Sequence, residues 1–324
     1  MTTQKIIITG GAGFIGSHLS ERLLSSGHQL ILVDNLSTGR KHNVDHLIGD
    51  RCQLLEADVI DAFQDPLLFT DVSAIYHLAA SVGVKRVIDD PTGMIKCNIY
   101  DTTIVLEAAA KHDIPVLITS SSEVYGKCPA PPLKEDMDLV YGPTTASRWS
   151  YGLSKAIDEH LAIDLYNKGK VKPVIVRLFN TIGPRQIGEY GMVVPRFIEK
   201  ALADQPITVY GDGNQTRAFC DARDIVRAMT LLMNNESCFG EVYNLGSDTV
   251  VTINELAELV NKVTQNTAGI ERVAYEAIYG KNFEDPQHRK PDVTKIKNAI
   301  GFEPEFTLED TIVELAQSKQ ITNS

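Results

Sequence analysis

Nowhere does this chain hold the roughly 18 consecutive apolar residues that a bilayer-spanning helix requires, so no membrane role is expected. Basic charge is also scarce. Against 42 aspartates and glutamates stand 31 lysines and arginines, a formal charge of -11, which argues against general nucleic-acid binding. An anionic ligand would need a few locally placed cations. The five cysteines, Cys52, Cys97, Cys128, Cys220 and Cys238, are odd in number and widely spaced, so they form neither a disulfide framework nor a zinc pattern. The eight histidines show no ligand spacing, and no metal is expected. Met1-Thr2-Thr3-Gln4-Lys5 passes into a strand-like run without an apolar targeting region, so the expected location is cytoplasmic. Internal repeats and low-complexity tracts are absent too. What remains is a globular chain of 324 residues, 43% hydrophobic and 23% charged, long enough for one large or two moderate cores.

What is present is organised around Trp149-Ser150-Tyr151-Gly152-Leu153-Ser154-Lys155. On a helix, residues four apart share a face, so the Lys155 ammonium can lie beside the Tyr151 phenol and favour its ionised form. A free phenol, with a pKa of about 10, is a poor base at neutral pH without such a neighbour. The same pair is common on any exposed helix, so its meaning depends on its surroundings.

Lys5-Ile6-Ile7-Ile8-Thr9 is a β-branched run suited to a parallel strand covered on both faces. It leads into Gly10-Gly11-Ala12-Gly13-Phe14-Ile15-Gly16, which opens a helical pattern through Leu19, Leu23 and Leu24. Strand, glycine turn and helix in that order let a pyrophosphate approach the backbone at the helix N-terminus, with Gly10, Gly13, Phe14, Ile15 and Gly16 around it. The next apolar run, Leu30-Ile31-Leu32-Val33, ends in Asp34 and Asn35. A carboxylate at that distance from the loop can hydrogen-bond the adenosine ribose and repel a 2′-phosphate, so the pattern predicts NAD rather than NADP.

Further strands are predicted at Gln53-Leu54-Leu55-Glu56-Ala57, Ala74-Ile75-Tyr76-His77-Leu78, Pro115-Val116-Leu117-Ile118-Thr119 and Val174-Ile175-Val176-Arg177-Leu178. The fold class read from this is α/β, a doubly wound parallel sheet of Rossmann type with a smaller, interleaved C-terminal substrate lobe. Asp58, Val59, Leu78, Ala79 and Ala80 fall at strand ends, where such sheets bind ligands, and with Asn98 they are expected near the cofactor. The expected division is residues 1–180 with 218–246 for the NAD-binding domain, and 181–217 with 247–324 for the substrate lobe. Residues 221–233 read as a helix returning to the nucleotide lobe, and 252–263 and 307–316 as amphipathic helices.

The fifth strand ends in Ser120-Ser121-Ser122-Glu123-Val124-Tyr125-Gly126. With the Gly10 to Gly16 loop and the Tyr151 and Lys155 pair, this resembles the extended short-chain dehydrogenase/reductase family that modifies nucleotide sugars. The likeness continues through Arg177-Leu178-Phe179-Asn180, Gly183-Pro184-Arg185, Thr208-Val209-Tyr210-Gly211-Asp212-Gly213, Arg217 and His288-Arg289-Lys290-Pro291-Asp292. It implies NAD as cofactor, a nucleotide sugar (a UDP-sugar above all) as substrate, and a homodimer through helices near 98–110 and 154–166. It also implies that Asn180, Arg217 and Arg289 meet the substrate diphosphate and that Tyr210 lies near the base. Arginine forks match phosphate oxygens, which agrees with that assignment.

By the same resemblance, Tyr151 removes a proton from a sugar hydroxyl while NAD accepts hydride from that carbon. Ser121 would hydrogen-bond the sugar oxygen, and Lys155 would hold the nicotinamide ribose and depress the Tyr151 pKa. The resulting C4 ketone permits dehydration, loss of a C5 carboxylate, or reduction from the opposite face. Ser122 stands where 4,6-dehydratases of the family carry an acid, and simple 4-epimerases usually lack a glutamate matching Glu123. The Ser122-Glu123 pair is similar to that of the UDP-glucuronate decarboxylases. Arg148-Trp149-Ser150-Tyr151 and the 279–285 motif leading to Arg289 also resemble the bacterial aminoarabinose-pathway decarboxylase domain and UDP-apiose/UDP-xylose synthases. In the former, the arginine matching Arg289 serves decarboxylation. A carboxylate drawn out of water needs a charge-assisted partner, for which Arg289 or Arg185 is available. The expectation is an NAD-dependent UDP-glucuronate decarboxylase. A UDP-sugar or UDP-uronate 4-epimerase, which needs only Ser121, Tyr151 and Lys155, is the alternative; a noncatalytic NAD-binding scaffold or sensor is a third reading.

Overall fold

The computed structural model describes residues 3–82, 89–128, 131–188, 192–274 and 287–323, so the 279–285 motif lies outside the described residues. Strands β1 (Lys5–Thr9), β2 (Gln29–Asp34), β3 (Cys52–Glu56), β4 (Val72–His77), β5 (Val116–Ser121) and β6 (Pro173–Leu178) are joined by Val242–Leu245. Together they make one parallel sheet, with Val242–Leu245 outermost beside β6, followed by β5, β4, β1, β2 and β3. The predicted strands are all present, displaced by one or two residues. β5 runs on to Ser121 because Ser120 and Ser121 still pair with Arg177 and Leu178 of β6.

The continuous apolar character of β1 follows from its position. Ile6 and Ile8 face a core with Leu19 and Leu23 of α1 (Phe14–Ser25), and Ile7 faces the opposite core with Val105, Leu106 and Ala109. Those last three belong to a helix at Pro91–His112, which packs beside another at Ser150–Asn167. With the single turn Val59–Ala62 counted as α2, these are α3 and α4. A helix at Ala222–Met233 returns to pack on α1 and buries Ile225, Met229 and Leu232 in the first of these cores. Its N-cap, Asp221, accepts from the Arg223 N–H at 2.8 Å.

A separate core forms from Phe197 and Ile198 of Val193–Leu202, Ile207 and Val209 of Ile207–Tyr210, Leu256 and Val260 of Ile253–Thr264, and Ile312 and Leu315 of Leu308–Asn323. Thr252 and Glu255 start the third of these with a reciprocal capping box. The last runs past the predicted 316 because neither Gly nor Pro interrupts it before the end of the chain. Thr216–Asp221 is flanked by Val250–Thr252 and His288–Arg289 and also pairs with Asn180–Ile182, which carries Arg217, Arg289 and Asn180 to one place. Among the described residues, no helix is long and apolar enough to cross a membrane.

One buried ion pair ties α4 to the sheet. Arg177 Nε and Nη2 donate to Glu159 at 2.9 and 2.8 Å, and the Ser120 hydroxyl donates to the same carboxylate. Removing one partner of a buried pair leaves the other charge uncompensated. Glu159→Gln is therefore expected to lower stability in urea denaturation by about 3 kcal/mol, more than the double change Glu159→Leu with Arg177→Met. Equal losses would show that the pair contributes nothing beyond packing.

Candidate active site

β1 is followed on one side by β2 and β3 and on the other by β4 and β5, so the chain ends at β1 and β4 diverge and leave a crevice between them. Gly10 sits there at φ +70, and a Cβ on it would lie 2.8 Å from the Ala79 nitrogen. A Cβ on Gly16 would fall 2.0 Å from the Gly10 carbonyl oxygen. The loop thus packs at backbone contact and delivers the N-terminus of α1, which carries no side-chain cap hydrogen bond, to the crevice. Such a terminus suits a pyrophosphate. Asp34 accepts from the N–H groups of Ala12 and Leu36, each at 2.9 Å, so it also anchors the loop. Burial pushes its carboxyl above the ordinary value, against these hydrogen bonds. Asn35 Nδ2 donates to Asp58 at 2.6 Å across the mouth.

The crevice opens into a cavity of about 830 Å³. Gly10, Gly13, Phe14, Ile15, Gly16, Asp34, Asn35, Asp58, Val59, Leu78, Ala79 and Ala80 all line it. Asn98 does not. It is buried behind the wall, where its Oδ1 accepts from the Ser81 N–H at 2.8 Å and its Nδ2 lies 3.2 Å from the Ser154 hydroxyl. Uncapped N–H groups, a glycine cradle and a carboxylate at the end of β2 fit the dinucleotide expected from the sequence.

Tyr151 and Lys155 face this cavity one turn apart on α4. Gly152 makes their placement possible: a Cβ there would come within 2.4 Å of the Glu123 carbonyl oxygen, so only glycine lets α4 lie against the end of β5. Tyr151 is brought to hydrogen-bond Ser121. Lys155 does pull its phenol pKa down, as expected, but burial outweighs that and Glu123 adds to the rise, so the net direction in the protein is upward. The Lys155 side chain is itself buried, with Nζ 3.0 Å from Asp158 Oδ2. Burial works against its charge, yet Asp158 and Tyr151 outweigh this and hold the ammonium above its ordinary pKa.

A polar chain continues from Asp158 beneath the cavity. Asp158 is bonded to Thr102, whose hydroxyl lies 3.3 Å from His77 Nε2, and His77 Nδ1 lies 2.7 Å from the Thr9 hydroxyl. Thr9 in turn accepts from the Ala79 N–H at 3.2 Å. Burial, helped by Lys155, lowers the His77 pKa to about 3, so the ring is neutral. A single set of donors satisfies the chain: Thr9 donates to Nδ1, and Nε2–H donates to Thr102.

Glu123 lies at the other end of Tyr151's surroundings. Arg148 grips it with a fork, Nη1 to Oε2 at 2.6 Å and Nη2 to Oε1 at 3.1 Å, and Arg289 Nη1 donates to Oε1 at 2.5 Å. Burial alone would raise this carboxyl, but the two guanidinium groups reverse that and hold it well below the ordinary carboxylate range. Ser122 is buried beside it and also lines the cavity.

Asn180, Arg185, Tyr210, Arg217 and Arg289 complete the wall. Asn180 Nδ2 donates to the Ala218 carbonyl at 3.1 Å, and Arg217 Nη1 to that of Thr216 at 2.8 Å. The Arg196 guanidinium stacks on the Tyr210 ring at 5.1 Å and donates to its hydroxyl. Arg185 is committed elsewhere, donating to Glu21 of α1 at 2.7 Å and bridging His18 at 3.3 Å. Arg148, Asp158 and His77 are the chemically important residues not singled out in the sequence. The signal for the first two was spacing, three residues before Tyr151 and three after Lys155.

Gly16→Ala is expected to open the glycine loop and weaken NAD at least about tenfold, with little change in the far-ultraviolet spectrum. Titration of the purified variant with NAD, read by protein fluorescence, checks this. Unchanged affinity would show that the loop does not touch the cofactor.

The model of the NAD dependent epimerase/dehydratase family matches residues 6–246. A UDP-N-acetyl-alpha-D-glucosaminuronate decarboxylase from Bacillus cytotoxicus is 38% identical over 315 residues, which covers 97% of each chain. UDP-glucuronic acid decarboxylase 1 of Arabidopsis thaliana is 38% identical over 307 residues, covering 94% of this chain and 67% of the plant protein. Among solved structures, UDP-glucuronic acid 4-epimerase from Bacillus cereus, in complex with UDP-glucuronic acid and NAD, matches with a TM-score of 0.86 at 28% identity, over 98% of this chain and all of that one (100%). The continuous match across the glycine loop, the Ser121 to Glu123 strand end and the Tyr151 helix agrees with the geometry, and the chain belongs to the NAD dependent epimerase/dehydratase family.

Proposed function

We propose that this protein is an NAD-dependent decarboxylase of UDP-uronates, with UDP-glucuronate as the reference substrate. The observation that carries the reading is Glu123, kept ionised by Arg148 and Arg289 within the electrostatic reach of Tyr151. The relatives named above as decarboxylases support it.

NAD, when bound, supplies the acceptor for a hydride from C4 and later returns it. Tyr151 takes the C4 hydroxyl proton, Ser121 holds that oxygen, and Lys155 keeps positive charge beside the phenol. Once C4 is a ketone, the C5–C6 bond breaks, carbon dioxide leaves and the electron pair moves toward the C4 oxygen, where Tyr151 and Ser121 receive the developing charge. Glu123, Ser122 and Arg289 bound the side on which the carboxylate leaves. Gly10, Gly13, Phe14, Ile15, Gly16, Asp34, Asn35, Asp58, Val59, Leu78, Ala79 and Ala80 are assigned to the cofactor. Asn180, Arg217, Arg289 and Tyr210 are assigned to the nucleotide, with Asn98 and Arg185 as supports behind the wall.

The same proposal divides the chain into a cofactor lobe, 1–180 with 218–246, and a substrate lobe, 181–217 with 247–324. It includes a homodimer through α3 and α4, which expose Tyr100 and Ile157 at 58% and 42%. A UDP-uronate 4-epimerase is the second reading, because Ser121, Tyr151 and Lys155 suffice for it and the Bacillus cereus structure has that activity in its name.

With UDP-glucuronate, the wild-type protein is expected to release carbon dioxide and give a UDP-pentose by mass spectrometry. A product of unchanged mass with inverted C4 would make it the epimerase. Tyr151→Phe should cut turnover at least about a hundredfold while leaving NAD affinity within about threefold. Undiminished turnover would remove Tyr151 as the base.

A further inference from the structure

Charge counting around Glu123 gives Arg148 a specific task. At the sugar end of the cavity, Lys155 and Asp158 form a buried pair that cancels. Glu123, Arg148 and Arg289 then contribute one negative and two positive charges, all from side chains at most one-fifth exposed. The sum is one net positive charge in the wall of a protein whose formal charge is -11. Arg148 reaches both oxygens of Glu123, whereas Arg289 makes one contact with it through Nη1. A fork of this kind uses the carboxylate most completely.

We propose that Arg148 is a specificity-determining residue: by neutralising Glu123 through its fork, it leaves the charge of Arg289 for the carboxylate of the sugar, so the site selects a UDP-uronate over a neutral UDP-hexose. Arg148 acts through Glu123 and is a positioning residue for the reaction. Its seat is rigid, since it leads into α4 on the turn Ser147–Trp149 and its guanidinium lies 5.6 Å from the ring of buried Trp149. The ionised state of Glu123 is consistent with this arrangement. The ligand named here rests on the UDP-uronate reading above; the selectivity is read from binding and does not require turnover.

The test is calorimetric binding of UDP-glucuronate and UDP-glucose to the NAD-loaded protein. These ligands share their nucleotide and differ in the charge at C6. Wild type is expected to prefer UDP-glucuronate, and Arg148→Gln to lose at least about tenfold of that preference, because one unit charge disappears from a poorly screened wall. Adding Glu123→Gln to Arg148→Gln restores the net positive charge, so the double variant should recover most of the preference. A merely structural role would weaken both ligands alike and show no recovery. Equal weakening, a double variant no more selective than the single, or a wild type without preference would each overturn the proposal. If Arg148→Gln fails to fold, the double variant, which leaves neither member of the Arg148 and Glu123 pair charged, still decides: wild-type-like preference supports the inference and its loss overturns it. Preference for UDP-glucuronate without release of carbon dioxide would sink the decarboxylase reading alone.

Discussion

A carboxylate kept charged inside a cavity is expensive unless cations meet it, and Glu123 is met by two. That constraint organises the substrate half of the site. It requires Arg148 to leave the turn before α4 in one direction while Tyr151 leaves the first turn of α4 in another. It also requires Arg289 to arrive from 166 positions further along the chain. The strand His288–Arg289 makes this possible by pairing with Thr216–Asp221, and Leu133 ties the same segment through its N–H to the Lys290 carbonyl at 2.8 Å. Thus the substrate lobe closes on the end of β5 through one charged contact supported by backbone pairing.

The cofactor half depends on close backbone approach instead. Gly10 and Gly16 remove side chains where Ala79 and the loop's own carbonyl come near, and Gly152 does the same between α4 and Glu123. Tyr151 is consequently surrounded by unlike influences. Lys155 and Ser121 lower its pKa, while burial, Glu123 and Asp158 raise it, and the last three prevail. A positively charged neighbour is therefore necessary for Tyr151 to act as a base, but Lys155 alone does not overcome burial.

Much of this was legible in the chain. The β-branched run at Lys5–Thr9 specified a strand covered on both faces, and the glycine loop followed by Asp34 specified the crevice beside it. Local periodicity carried those signals. Arg148, Asp158 and His77 were harder to read because their meaning comes from partners brought in by folding: Glu123 and Arg289 for the first, buried Lys155 for the second, Thr9 and Thr102 for the third. Arg185 shows the opposite case. Its Gly-Pro-Arg setting suggested an anion contact, yet its nearest carboxylate is Glu21 of this chain. Asn98 sits on the helix expected to border the cofactor, but its inward rotation spends its amide on Ser81 and Ser154.

The central claim is that oxidation at C4 precedes loss of the C6 carboxylate in one site and that the same hydride returns. UDP-glucuronate carrying deuterium at C4 and a heavy-carbon label at C6 tests it most directly, followed by proton and carbon NMR. The account predicts labelled carbon dioxide and a UDP-pentose that keeps its deuterium at C4. Labelled carboxylate retained in a C4-inverted product, or carbon dioxide released with deuterium lost to solvent, would contradict it.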